Sequence, residues 1–226
     1  MTHNKPKLIA IDGPAGAGKT VAGGLLAQRL RYRFLDTGMM YRAATVAVID
    51  AKAPINDQAA MTHVAEKLRF DVEKHQDGNE SILVNGQDVT SRLLDQEIDR
   101  NVSSVSAIPR IREIMVREQR RIAREGRIVM IGRDIGTVVL PDAELKVFLT
   151  ATPETRAQRR YRDFTLRAIK VAYSEVLAEI RRRDELDSSR QVSPLRPADD
   201  AEVINTDDMT LEQVVEHLKA LACGNG

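Results

Sequence analysis

Five short apolar runs along the chain predict the strands of a parallel sheet. Most of the runs are continuous instead of alternating with polar residues, as expected for strands that are covered on both faces. Helical patterns lie between the runs, so the chain predicts an α/β domain with right-handed crossovers. The five runs are KLIAID (7–12), YRFLDT (32–37), RIVMIG (127–132), ELKVFLT (144–150) and AEVINT (201–206).

The helical patterns are clearest near the end of the chain. Apolar residues from Leu211 to Leu218 recur at i, i+3, i+4 and i+7, which is the spacing of one helix face. Thr210 and Gln213 form a capping-box pattern that predicts where this helix begins. In SAIPRIREIMVREQRRIAREG, a second apolar stripe is formed by Ile108, Ile111, Met115 and Ile122, with Pro109 in the first turn. Most of the arginines from Arg117 to Arg127 are expected to form a solvated face.

Two segments interrupt the strand–helix alternation. The first contains β-like stretches separated by turn signals at Asp77–Gly78 and Asn85–Gly86, which predicts a small antiparallel inset. The second is rich in arginine and mostly helical in pattern, and it ends in SPLRP, so it resembles a mobile flap. The predicted division is a core of residues 1–62, 105–152 and 197–226, an inset of residues 63–104 and a lid of residues 153–196.

Composition narrows the partners of the protein. The 226 residues are 42% hydrophobic and 30% charged, as in ordinary globular proteins. Because 34 Lys and Arg balance 33 Asp and Glu, no general field gathers nucleic acid or anionic membrane. No apolar stretch approaches the ~18 residues of a membrane span, and the first residues lack the features of a signal peptide. We therefore expect a cytoplasmic protein that binds neither nucleic acid nor a membrane.

The cysteine and the histidines offer no further chemistry. Cys223 is the only cysteine and stands in the polar tail CGNG, where we expect a frayed, inert thiol. The four histidines, at positions 3, 63, 75 and 217, have no metal-ligand spacing.

The segment GPAGAGKT (13–20) matches the phosphate-binding pattern G-x-x-x-x-G-K-[ST], between a predicted strand and a predicted helix. Its glycines let the backbone N–H groups form a cup at a helix N-terminus. Lys19 supplies a charge for the β- and γ-phosphates, and Thr20 supplies a hydroxyl for Mg²⁺. Gly23 and Gly24 inside the helix predict close packing there. The predicted ATP-binding residues are Gly13, Pro14, Ala15, Gly16, Ala17, Gly18, Lys19 and Thr20.

Further segments carry a specific resemblance. They are LDTGMMYRA (35–43), SSVSAIPRIRE (103–113), IGRDIGTVVLPDAELKVFLTA (131–151), TRAQRRYR (155–162) and RRRDELDSSR (181–190). From about residue 7 to residue 219, the chain resembles the bacterial-type cytidylate kinases. The resemblance implies the P-loop nucleoside monophosphate kinase fold, with a five-stranded parallel sheet in the order 2-3-1-4-5. It also implies a monomeric, cytoplasmic enzyme that uses ATP and Mg²⁺ to phosphorylate CMP and dCMP.

The same resemblance implies which residues bind the acceptor. Cytosine presents an amino donor beside two acceptors, so its site needs a carboxylate or hydroxyl and a forked donor. The resemblance assigns Asp134, Ser103 and Arg112 to the base. It assigns the monophosphate to Thr37, Arg42, Arg133 and Arg190, and the ribose to Tyr41, Arg183 and Asp187.

Catalysis is expected to rest on alignment and charge neutralisation, because the acceptor phosphate is already an anionic nucleophile and needs no general base. The predicted catalytic residues are Lys19, Arg133, Arg156, Arg159 and Arg190, with Arg156 and Arg159 closing over the ATP phosphates.

Helical spacing supports the ribose group independently. Val176 and Ile180 belong to a predicted inward stripe, and seven residues after each stand Arg183 and Asp187. If the helix continues, both side chains point the way that the core residues do. From the pattern alone, the alternative is a solvated charge run.

Two positions depart from the family pattern. Ile131 stands where the family usually has Asp, which puts support for Mg²⁺ in question, and Asp12 is the remaining local carboxylate. Val21 stands where a second hydroxyl normally reaches an ATP phosphate. We expect weaker binding of Mg·ATP with activity retained.

Other functions remain open at this stage. One alternative is a P-loop kinase for another small acceptor, such as UMP or a shikimate-like compound. The other is a nucleotide switch or nucleic-acid-associated ATPase that uses the arginine-rich helix as its contact surface. A GTPase is disfavoured because no Asn-Lys-x-Asp run is present.

Overall fold

The structure, a computed structural model, describes residues 6–74 and 80–224, with the side chains of Lys74 and Glu80 left aside. These residues form two compact units. The first contains residues 6–35 and 125–224, and the second contains residues 36–74 and 80–124. The predicted turn at Asp77–Gly78 and the histidines at positions 3 and 75 lie outside the described residues.

Helices and strands alternate as predicted. The strands are β1 (Leu8–Asp12), β2 (Arg33–Asp36), β3 (Phe70–Lys74), β4 (Glu80–Val84), β5 (Gln87–Asp88), β6 (Ile128–Ile131), β7 (Leu145–Thr150) and β8 (Glu202–Asn205). The α-helices are α1 (Lys19–Leu30), α2 (Thr37–Asp50), α3 (Gln58–Ala65), α4 (Gln96–Ala107), α5 (Pro109–Ala123), α6 (Pro153–Leu166), α7 (Tyr173–Ser188) and α8 (Leu211–Cys223). A 3₁₀ turn spans Thr90–Arg92, and a π-helical turn spans Ile135–Val139.

The larger sheet has five parallel strands in the order β2-β6-β1-β7-β8. Counting only its own strands along the chain, this is the predicted order 2-3-1-4-5. Each of the five predicted runs contains its strand and exceeds it by no more than one residue at either end. In the centre, Ile11 of β1 pairs with Ile131 of β6 on one side and Val147 of β7 on the other. The ends of β1 and β6 therefore lie side by side.

The core of the first unit explains the continuous apolar runs. Every residue of β6 is buried, because helices cover the sheet. The main cluster joins Ile11 and Ile131 to Leu26 of α1 and to Val215 and Leu218 of α8. The capping box at the start of α8 is confirmed: Thr210 Oγ1 accepts from the Gln213 N–H at 3.3 Å, and the side chain of Gln213 accepts from the Thr210 N–H at 2.8 Å.

Two sequence expectations about local packing are wrong. Cys223 is not in a frayed tail: it ends α8 and packs, partly buried, against the core cluster. Apart from its chain neighbours and the backbone of α1, no described residue lies within 4 Å of the point that a Cβ on Gly24 would occupy, so close packing does not explain this glycine. Gly23 does meet the expectation, since a Cβ there would lie 2.8 Å from the side chain of Ile131.

The second unit contains the three-stranded antiparallel sheet β3-β4-β5. Asn85 and Gly86, which connect β4 to β5, have φ values of 51° and 81°, as a tight two-residue hairpin requires. The stripe of α5 is confirmed at Ile111 and Met115, which are fully buried, and Pro109 occupies the first turn. The arginines at positions 117, 120, 121 and 124 are exposed, as predicted.

No α-helix in the described ranges is long and apolar enough to cross a membrane. Residues 6–74 and 80–224 also contain no group of three or more His, Cys, Asp or Glu placed to hold a metal ion.

Candidate active site

The phosphate loop connects β1 to α1, as the sequence predicts. Gly13 has a φ of +145°, and a Cβ at this position would lie 2.0 Å from the Leu149 carbonyl oxygen of β7. Only glycine therefore fits where the loop leaves the sheet. Gly18 adopts a left-handed conformation as the N-cap of α1. All eight residues predicted to bind ATP lie on this loop and the first two positions of the helix.

Lys19 and Thr20 begin α1 with opposite exposures. Lys19 is 6% exposed, and its Nζ donates hydrogen bonds of 2.7 Å to the carbonyl oxygens of both Gly13 and Pro14. The ammonium group therefore lies over the first turn of the loop. Thr20 is exposed, and it carries a hydroxyl oxygen at the helix N-terminus. One such oxygen fits Mg²⁺, which usually takes most of its ligands from water and substrate phosphates.

Asp12, the last residue of β1, holds the segment that follows β6. Its carboxylate is 4% exposed and accepts from the N–H of Ile135 at 2.8 Å and from that of Gly136 at 2.7 Å. Burial raises the pKa of Asp12 to about 6, although the two N–H groups oppose the rise. Asp134 raises this pKa further and Lys19 lowers it. Sequence reasoning identifies Asp12 only as a local carboxylate and misses this role.

Asp134 lies directly before the π-helical turn and is 4% exposed. Its backbone carbonyl accepts from the N–H groups of Val138 and Val139, at 2.9 and 3.1 Å. The residue predicted to read cytosine is therefore buried on a well-anchored backbone. Its neighbour Arg133 is partly exposed, and its side chain bonds to a carboxylate on another element.

That partner is Asp187, near the C-terminal end of α7. Asp187 is 2% exposed, accepts from Nε of Arg133 at 2.8 Å and also forms an ion pair with Arg190. Burial alone would favour the neutral acid. Arg133, Arg190 and Arg183 outweigh it and hold the pKa of Asp187 below its ordinary value. Four residues predicted to bind the phosphate or the ribose thus share one charged cluster.

The helical spacing argument for α7 is confirmed. Val176, Ile180 and Asp187 are buried on one side of the helix, and Arg183 is partly buried. The alternative of a solvated charge run holds only for the residues before Arg183, because the side chains of Arg181 and Arg182 are more than half exposed.

The two predicted lid arginines are hydrogen-bonded within the first unit. Arg156 is 3% exposed and forms a two-pronged ion pair with Asp184 of α7, at 2.9 and 2.6 Å. It also donates to the carbonyl oxygens of Ala15 in the phosphate loop, at 3.1 Å, and of Ala151, at 2.9 Å. Arg159 donates to the carbonyl oxygen of Thr206 at 2.6 Å. Contact of either arginine with ATP stays a prediction.

In the second unit, the aromatic ring of Tyr41 and the guanidinium of Arg112 are stacked. The guanidinium carbon lies 5.4 Å from the ring centre. Arg112 is 3% exposed and donates to the Ser106 carbonyl oxygen at 3.2 Å, where α4 ends. Ser103, one turn earlier in α4, is partly buried, and its carbonyl oxygen accepts from the Ser106 hydroxyl at 3.2 Å. Helices α4 and α5 thus supply Ser103 and Arg112, two of the three residues predicted for the base.

The predicted phosphate ligands of this unit lie on α2. Thr37 is the first residue of the helix and is 4% exposed. Arg42 pairs with Asp99 at 2.5 Å and donates to the Leu93 carbonyl oxygen at 3.0 Å. The N-cap of α2 is Asp36, whose carboxylate accepts from the Gly38 N–H at 2.9 Å.

The two departures from the family pattern occupy contrasting environments. Ile131 is 1% exposed and packs in the core against α1, so its side chain replaces a carboxylate with hydrocarbon. Val21 is 54% exposed in the first turn of α1. The missing hydroxyl therefore leaves an exposed methyl beside the phosphate loop.

Comparison with known proteins settles the family. A sequence profile described as "Cytidylate kinase" matches residues 9–223. The chain belongs to the cytidylate kinase family. A cytidylate kinase from Mycobacterium avium is 48% identical over 95% of this chain and 94% of its own length. Relatives with the same name from Carboxydothermus hydrogenoformans, 43% identical over 93% and 94%, and Bacillus licheniformis, 41% identical over 95% and 95%, agree with it.

Proposed function

We propose that this protein transfers the γ-phosphoryl group of ATP to CMP and dCMP, giving CDP and dCDP. The observation that carries the proposal is the family match from β1 to the last residue of α8. It covers the phosphate loop and every residue assigned to the acceptor. The same membership supports a monomeric enzyme of the cytoplasm.

Asp134, Ser103 and Arg112 are the residues that we propose for cytosine. Asp134 would accept from the exocyclic amino group, and Arg112 would donate to the ring nitrogen and the carbonyl oxygen. Both side chains are almost completely buried. Uracil would place a second acceptor against the carboxylate, and an unmade buried hydrogen bond of this kind can give about 10⁴-fold discrimination.

The remaining acceptor groups have matching chemistry. Arg133 and Arg190, held by Asp187, and Arg42 carry planar guanidinium groups that suit phosphate oxygens. Thr37 is proposed as a further phosphate ligand. Tyr41, Arg183 and Asp187 are proposed for the ribose, on the family resemblance.

The donor side is the phosphate loop. Its backbone N–H groups would bind phosphate oxygens, and Lys19 would exchange its bonds to Gly13 and Pro14 for the β- and γ-phosphates. Thr20 would hold Mg²⁺, which supplies charge neutralisation when bound. Arg156 and Arg159 would have to leave their present partners to reach the phosphates. No general base is needed, because the acceptor phosphate is already anionic.

The test is an ADP-release assay with Mg·ATP and a panel of acceptors: CMP, dCMP, UMP, AMP, GMP, shikimate and none. We expect turnover with CMP and dCMP at least about 100-fold above the others. ADP release that is equal without any acceptor would instead indicate an ATPase, and preference for UMP or shikimate would indicate another small-molecule kinase.

A substitution at Asp134 sharpens the test. Asp134→Asn replaces an acceptor with a donor, so the ratio of kcat/KM for CMP to that for UMP should fall about 100-fold or more. Asp142→Asn, at an exposed aspartate eight residues later, is the matched control and should leave the ratio unchanged. An unchanged ratio in Asp134→Asn would remove this residue from the base site.

A further inference from the structure

The buried carboxylate of Asp12 accepts hydrogen bonds from two backbone amides. These amides belong to the segment that is proposed to bind the acceptor. The last backbone bond between β1 and the chain after β6 joins the Gly132 N–H to the Ile11 carbonyl oxygen at 3.1 Å. The next contacts from β1 are the two bonds from Ile135 and Gly136 to Asp12. Arg133 and Asp134 are the two residues between these anchors.

The π-helical turn needs such an acceptor. The first N–H groups of a helical turn have no partner within it, and a carboxylate satisfies them and matches the positive end of the turn. Here the acceptor comes from another strand, 123 residues earlier than Ile135. Because β1 continues directly into Gly13, the same residue joins the phosphate loop to the acceptor segment.

The turn is closely packed at Gly136. A Cβ on Gly136 would lie 3.2 and 3.3 Å from side-chain carbons of Lys146 and 3.5 Å from Oδ2 of Asp12. A methyl here would be in ordinary contact with the carboxylate but would crowd Lys146, so that side chain or the turn would have to shift by a few tenths of an ångström. Lys146 itself is held by Asp200, at 2.8 and 2.9 Å.

We propose that Asp12 is a positioning residue for phosphoryl transfer, which fixes the backbone that carries Arg133 and Asp134 by binding the N–H groups of Ile135 and Gly136. This inference rests on the proposed function, since it concerns how the CMP contacts are held. In this role, Asp12 acts through the backbone that it binds and not by contact with a substrate. Its effect should appear in acceptor affinity and base selectivity, with little change on the ATP side.

The first test is Asp12→Asn. The amide has the same shape, but it accepts through one oxygen and turns an N–H₂ group towards the other backbone donor. We expect the Kd for CMP, measured by calorimetry without ATP, to rise about tenfold or more, the usual scale for a lost bond to a charged group. The ratio of kcat/KM for CMP to that for UMP should fall, while the KM for ATP stays within about threefold.

Gly136→Ala is the second variant, because it keeps the carboxylate and crowds the turn that the carboxylate binds against Lys146. It should raise the Kd for CMP in the same direction by a smaller factor, about threefold. Asp200→Asn is the matched control: it removes a neighbouring carboxylate that binds Lys146, and it should change neither the Kd for CMP nor the selectivity.

Two results would overturn the inference. In one, both variants keep the Kd for CMP and the base ratio within twofold while thermal stability falls, so that Asp12 is merely structural. In the other, the KM for ATP rises as much as the KM for CMP, so that Asp12 acts through Lys19 and the phosphate loop. A wild-type protein that does not phosphorylate CMP would refute the proposed function instead.

Discussion

The two segments that flank the candidate site in the first unit are anchored by different kinds of bond. Beside the phosphate loop, two buried side chains bind backbone: Asp12 accepts from two amides, and Lys19 donates to two carbonyls. On α7, two aspartates bind charged side chains instead. Asp184 pairs with Arg156, and Asp187 pairs with both Arg133 and Arg190.

Asp12 and Asp187 show what this difference means. Both are at least 96% buried, at 4% and 2% exposure, so desolvation disfavours the charge of each. Two amides do not compensate for it, and the pKa of Asp12 rises to about 6. Three nearby arginines do, and the pKa of Asp187 falls below its ordinary value. Asp12 is thus easier to protonate than Asp187, and Asp187 stays ionised and holds its arginine partners in place.

The largest expected effect comes from breaking the cluster in α7. Asp187→Asn removes the carboxylate that holds Arg133 and Arg190, and loss of one partner from a buried ion pair costs about 3 kcal/mol of stability. The kcat/KM for CMP should fall about 100-fold or more, because both arginines lose their orientation. Urea unfolding and steady-state kinetics measure the two changes.

Glu179→Gln on the same helix is the control for that substitution. Glu179 pairs with Arg182 at 2.7 Å, but both side chains are about half exposed. An exposed pair contributes about 0.5 kcal/mol or less, so stability and kinetics should remain close to wild type. Equal losses in the two variants would mean that burial does not distinguish the pairs.

The second effect is the pH dependence caused by Asp12. Its folded pKa of about 6 lies above the ordinary 3.8, so the folded state binds more protons between these values. The resulting stability is full below pH 3.8 and is lost as pH rises through 6. From pH 4.5 to pH 7 this loss is about 2 kcal/mol. Asp187, with a lowered pKa, loses its contribution only below pH 3.8.

Urea unfolding at several pH values tests that difference. Between pH 4.5 and 7, the free energy of unfolding of wild type should fall relative to that of Asp12→Asn. Asp187→Asn should keep the wild-type slope, because Asp187 stays ionised throughout this range. If wild type and Asp12→Asn have parallel pH profiles, the carboxyl of Asp12 does not titrate near 6.

The sequence could predict what depends on local pattern. The five strands, the phosphate loop, the Asn85–Gly86 hairpin and the capping box of α8 each follow from a few consecutive residues, and the structure confirms them. The inward direction of Arg183 and Asp187 followed from counting turns from Val176 and Ile180. The order of the sheet came from resemblance to the family.

What escaped prediction depends on residues far apart in the chain. The bond from Ile135 to Asp12 spans 123 positions, and it exists only because β1 and β6 are neighbours. A charged residue ending a buried strand, directly before a phosphate loop, was the available signal. The prediction for Cys223 was wrong because the polar residues after it suggested a frayed chain end, whereas α8 continues to Cys223. The partners of Arg156 likewise depend on how α6 and α7 pack.

The third prediction concerns Gly23 and Gly24 of α1. Substituting each by alanine distinguishes the effect of packing from that of helix propensity. Gly24→Ala should raise stability by about 1 kcal/mol, because alanine favours a helix interior and, apart from chain neighbours and the backbone of α1, no described residue lies within 4 Å of the new methyl. Gly23→Ala should lower it by about 1–3 kcal/mol, since its methyl would lie 2.8 Å from Ile131. Thermal unfolding of both variants measures the difference. Equal shifts of one sign would contradict this account of the helix.

The smallest expected effect is at Val21, which lacks the hydroxyl that the family usually has directly after the phosphate loop. Val21 is 54% exposed in the first turn of α1, so Val21→Thr adds a hydrogen-bonding group at almost constant shape and without burying it. The KM for ATP should fall about threefold, corresponding to about 0.7 kcal/mol for one new bond. The KM for CMP should not change, because the proposed acceptor contacts lie elsewhere. Val203→Thr, at an equally exposed valine of β8, is the control. An unchanged KM for ATP in Val21→Thr would show that the phosphate loop binds ATP through its backbone and Lys19 without help from this position.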